Sequence, residues 1–82
     1  MTDLTSRKPN HEARISQRFA ISLAGAIPLP AEGQELVVAR TRGKQKLVMI
    51  NVAGQYRLHC DSCPREHWSL VFGVAIPESE SL

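Results

Sequence analysis

This 82-residue chain is poor in aromatics, holds only two cysteines and has no long apolar run, and each shortage argues against a class of function. The aromatics are Phe19, Tyr56, Trp68 and Phe72. Most of them fall in apolar patterns that a core would claim, which disfavours a base-stacking platform for single-stranded nucleic acid. No stretch approaches the roughly 18 consecutive apolar residues of a membrane helix. Met1 to Asn10 is polar and lacks the apolar centre of a secretory signal, so the chain reads as cytoplasmic. That compartment keeps thiols reduced, and a structural disulfide between Cys60 and Cys63 is not expected.

The motifs of catalysis are missing as well. No glycine-rich loop is placed to cradle phosphates, and Glu12, Glu32, Glu35, Asp61 and Glu66 show no spacing that marks an acid–base pair. Cys63 with His67 or His11 can be written as nucleophile and base, yet no nucleophile motif surrounds Cys63. The sequence therefore predicts a non-enzymatic protein.

What is present is an ordinary globular composition, 43% hydrophobic and 22% charged. The length sets one small domain over residues 10–76. Such a chain buries only about 60% of its unfolded surface, so a metal staple or a homodimer contact would help it. The net charge of +2 is unevenly spread: residues 1–57 carry nine Lys/Arg against four Asp/Glu, and residues 58–82 carry one against four. A positive body with an acidic end speaks to partners rather than to fold.

Along the chain, residues 1–9 read as a disordered arm. Asn10 can cap a helix with Glu12 in its first turn, and Ile15, Phe19, Leu23 and Ala26 recur at helical spacing before Gly25 and Pro28. Phe19, Ile21 and Leu23 also alternate as a strand would, but the caps favour the helix. Ile27-Pro28-Leu29-Pro30 forms an extended linker. The remainder reads as β-structure: Leu36–Ala39, Leu47–Ala53, Tyr56–Cys60 and Trp68–Ile76, with turns at Arg42-Gly43 and Ala53-Gly54. The expected fold is α+β, one N-terminal helix followed by a four-stranded antiparallel β-meander, with residues 77–82 a flexible tail. Val48, Ile50 and Val52 alternate with Leu47 and Met49, so that strand is apolar on both faces. Its second face calls for a cover, by the helix or by a partner.

Two stretches carry candidate chemistry. In the first, Cys60, Cys63 and His67 have spacing that a tetrahedral zinc can use, with His59 or His11 as a fourth ligand. A single Cys-x-x-Cys is half of the usual zinc signature. Strand alternation also places Cys60 with Tyr56 and Leu58 on the core face. The competing expectation has Cys60 as a small buried hydrophobe, Cys63 as a loop residue, and His59 and His67 solvated. A redox pair would need a helix start to lower a thiol pKa, and Pro64 is expected to lead into a loop instead.

In the second stretch, Arg40, Arg42, Lys44 and Lys46 occupy every second position around the Arg42-Gly43 turn. A protruding hairpin of this kind can lie against phosphates and gain affinity from counterion release, with Arg14 and Arg18 as secondary contacts. Hairpin tips are also commonly solvated, and edge lysines discourage sheet-to-sheet aggregation. The reading that results is a small regulatory binding module that contacts nucleic acid through this hairpin. Its rival is a protein-interaction module, adaptor or inhibitor, that uses an apolar sheet face, with or without a structural zinc in the Cys60–His67 loop.

Overall fold

A computed structural model describes residues 11–76, which run β1 (His11–Ile15), α1 (Gln17–Ala24), β2 (Glu35–Arg40), β3 (Lys46–Val52) and β4 (Gln55–Cys60). A 3-10 turn (Arg65–His67) and α2 (Trp68–Phe72) follow. The fold is α+β with a four-stranded antiparallel sheet, in the order β1-β4-β3-β2. Strands β2, β3 and β4 form the expected meander. β1 lies beside β4 after the long connection through α1, the order of a Greek key run with its long connection first. The arm over 1–9, the Asn10 cap and the 77–82 tail lie outside the described residues.

Two elements differ from expectation. The strand expected over Trp68–Ile76 is instead α2 followed by an extended segment, and the fourth strand is β1. In α2 Trp68 is buried and Phe72 packs against the core, four residues apart on one helical face, while Leu70 is 84% exposed. Gly73 in the left-handed region (φ 75, ψ 21) closes the helix, its N–H donating to Ser69 O. The expected first helix begins later than Asn10. Ala13 and Ile15 point into the core from β1, with Glu12 and Arg14 exposed on the other side. Ser16 then caps α1, its Oγ accepting the Phe19 N–H at 3.3 Å. Glu12 is thus a strand residue and not a first-turn helix residue.

The core lies on one face of the sheet. Ala13, Ile15, Leu47, Met49, Leu58 and Cys60 supply its floor; Ala20 of α1 and Trp68 of α2 close it, with Phe19, Leu23, Val74 and Ile76 packed against them. Leu47 is fully buried there, so it belongs to the core face. The β3–β4 turn is Ala53-Gly54, both with positive φ (55 and 84), as a two-residue hairpin of this twist requires. Between β2 and β3 the register shifts between Val37 and Ala39, leaving Val38 as the extra residue of a bulge.

Candidate nucleic-acid interface

Alternation decides what the outer face of the sheet, opposite α1 and α2, carries. Lys46, Val48, Ile50 and Val52 of β3 share it with Gln55, Arg57 and His59 of β4 and with Glu12 and Arg14 of β1. The registers arrange these residues in rows. Arg40 pairs with Lys46 at the hairpin end, Glu12 lines up with His59 and Val48, and Arg14 lines up with Arg57 and Ile50. Val48 is buried outside the main core cluster, and Val37 and Ile50 are half-buried around it.

Arg40, Arg42, Lys44 and Lys46 are all exposed, at the β2–β3 hairpin and its loop. The loop is closed by the Thr41 N–H donating to Gln45 O at 3.2 Å. Arg40 directly opposite Lys46 is a like-charged cross-strand pair, an arrangement that costs stability in the absence of an anion. From Leu36 to Cys60 the chain has five Lys/Arg and no Asp or Glu, and the one carboxylate of these strands, Glu35, stands opposite Ile50 at the other end of β2. Arg14 shares the sheet face but sits four residues along and two strands across from Lys46, roughly 16 Å away by strand spacing and rise. Arg18 is exposed on α1, which covers the opposite face. These two are not brought to the hairpin.

Arg57 is the cation that the sequence reading passed over. It lies on β4 in the same row as Arg14 and Ile50, between β1 and β3, and its Nη1 meets Glu12 Oε1 at 3.4 Å. Its Nε is out of solvent and has no hydrogen-bond partner among the described residues. The signal was available in Gln55-x-Arg57-x-His59, whose period of two places all three on the Lys46 face.

The Cys/His stretch lies at the same end of the sheet, because Cys60 pairs with Leu47 next to the hairpin loop. Cys60 and Cys63 are both buried and both free thiols. Cys63, expected as a loop bystander, is 5% exposed and part of the core. Its N–H donates to Cys60 Sγ at 3.3 Å, and its carbonyl accepts from Trp68 Nε1 at 3.2 Å. Gln45 crosses from the basic loop to donate to Ser62 Oγ at 2.9 Å. His67 is exposed in the 3-10 turn, away from the strand register expected for it, and His59 is half-buried on the outer face. Among the described residues no group of three His, Cys, Asp or Glu is gathered as a metal centre. A short helix does follow Pro64, but burial, and then the neighbouring Cys60, pushes the Cys63 thiol up rather than down. A thiol held protonated in this way is a poor nucleophile at neutral pH.

No protein family matches this chain, and no curated protein or solved structure is significantly similar to it. No helix among the described residues is long and apolar enough to cross a membrane.

Proposed function

We propose that this protein is a small cytoplasmic, non-enzymatic module that binds nucleic acid by its phosphates, through the β2–β3 hairpin. The supporting observation is the Arg40–Lys46 register pair on an acid-free segment, with Arg42 and Lys44 exposed beyond it. Phosphate supplies the anion that this juxtaposition lacks, and contacts of this kind position a backbone without reading bases. Arg57 shares the Arg14 row and meets Glu12, so it stands apart from the hairpin charges. Arg14 and Arg18 drop from the contact set on distance and on face.

The test is a binding titration with duplex and single-stranded oligonucleotides at several salt concentrations. Four phosphate contacts predict a log–log slope near −3.6, about 10²-fold weaker binding between 50 and 200 mM salt. Replacing Arg42 and Lys44 by Glu removes two contacts in a loop outside the core and lowers the slope by about 2. An absent or salt-indifferent interaction overturns the proposal.

A second reading has its own observation. Leu70 is 84% and Val71 36% exposed on α2, an apolar pair that a protein partner can cover. Val71→Asp leaves the fold intact and weakens such a contact. Leu47→Asp is no test of this, because Leu47 belongs to the core.

A further inference from the structure

We infer that the free edge of β1 is a dimerisation surface, and that its occupant is β1 of a second copy of this chain, antiparallel and in one register. Among the described residues β1 pairs on one side only, with β4, and it is an outer strand of the sheet. No backbone hydrogen bond outside the ladder reaches residues 12–15 among them, so the other side of the strand presents unmet donors and acceptors. The two edges of the sheet are not alike. β2 is interrupted by the bulge at Val38, a device that hinders pairing with another strand. β1 keeps unbroken register with β4 over its five residues and contains no proline, lysine or bulge.

Charge selects the register. Glu12 and Arg14 share the outer face, with Ala13 and Ile15 on the core side. A continuous sheet keeps inward residues opposite inward ones, so a two-fold pairing must centre on a residue. Centred on Glu12 it sets carboxylate against carboxylate, and centred on Arg14 it sets guanidinium against guanidinium. Centred on Ala13 it sets Glu12 opposite Arg14 of the partner subunit, twice over by symmetry, and brings only small side chains together at the axis. Arg14 lacks such a partner on its own chain. Its neighbour across the ladder is Arg57, a like charge, and among the described residues Arg14 has no ion pair. Glu12 meets Arg57 through Oε1 alone, and its side chain is 50% exposed, so its second oxygen can accept from another cation. The result is an eight-stranded sheet with both cores on one side and the two basic hairpins at diagonally opposite corners. No hairpin residue enters the contact, and the inference stands independently of the nucleic-acid reading.

The test is sedimentation equilibrium on the intact chain at low salt, from about 10 µM to 1 mM, a range suited to a contact smaller than the roughly 1,200 Å² of stable interfaces. A reversible monomer–dimer equilibrium is expected. Arg14→Glu makes both cross-strand pairs repulsive and weakens the dimer about tenfold or more, and Glu12→Arg does the same with the opposite sign of charge. Mixing these two variants in equal amounts restores a dimer, because each supplies the charge that the other lacks. A variant that fails to fold cannot give that result. Glu35→Lys, on the β2 edge, leaves the equilibrium unchanged. A chain that stays monomeric across the whole range overturns the inference. So does a dimer untouched by Arg14→Glu, a mixture that does not reassociate, or a dimer lost in Glu35→Lys.

Discussion

Asn51 is buried on the covered face of the sheet, and both its backbone and its side chain donate and accept. Its Nδ2 donates to Pro30 O and its Oδ1 accepts from the Gly54 N–H, each at 3.0 Å, while its backbone N–H donates to Gln34 O and its carbonyl accepts from Gly33. One residue thus fastens the proline linker and the β3–β4 turn to the central strand. Asn51→Leu strands two buried groups and should cost about 1–3 kcal/mol in urea unfolding. Cys63 offers a second prediction at this scale. Its folded-state pKa is raised, first by burial, so the folded chain retains a proton that the unfolded chain gives up. That contribution is complete below the unfolded thiol value, about pH 8.5, and is lost as pH rises through the folded value. Thermal melts should show the protein losing stability on the alkaline side, and Cys63→Ala should flatten that loss. Neither role was legible beforehand. Asn51 sits in an apolar run as an ordinary strand interruption, and only the neighbouring loops give it partners.

At the level of elements, what was legible depended on how many residues carried the period. The three strands Glu35–Arg40, Lys46–Val52 and Gln55–Cys60 are long, alternate cleanly and are separated by turn residues, and each was expected. β1 has five residues, with the small Ala13 as one of its two inward core positions, and Ile15 fits a helical series with Phe19 and Leu23 equally well. At the other end, Trp68, Leu70, Phe72, Val74 and Ile76 satisfy a period of two. Trp68 and Phe72 also satisfy a helical spacing of four, and Gly73 is the stop that closes a short helix. Burial of the indole against the Cys63 carbonyl favours the helix, at the expense of an exposed Leu70. Gly73→Ala should therefore destabilise by about 1–2 kcal/mol, because a β-carbon is strained at φ 75 although it would meet no neighbouring atom. Ala53 carries the same strain at φ 55, and Ala53→Asn should raise the midpoint of urea unfolding, by about 0.5–1 kcal/mol in stability.

Across the whole molecule, the topology separates two functions of the sheet. One face is covered by α1 and α2 and holds the core; the other carries Lys46, Arg57, Arg14 and a small valine–isoleucine patch. The hairpin charges and the thiol turn meet at one end because β3 and β4 pair Leu47 with Cys60. Leu47→Asp should abolish the cooperative unfolding transition, since it places an unpaired charge in that core. Val71→Asp should shift the same transition by no more than about 0.5 kcal/mol. Circular dichroism melts distinguish the two variants directly.

Composition and local period were enough to determine the α+β class, the three meander strands, the Ala53-Gly54 turn, the inward-facing Cys60 and the basic hairpin. These follow from side-chain alternation and turn chemistry over a few adjacent residues. Tertiary structure alone decided that β1 closes the sheet against β4, that Trp68 heads a helix, that Cys63 is buried, and that His67 sits in an exposed turn. Each of those depends on contacts between segments far apart in the chain, where packing outweighs local preference.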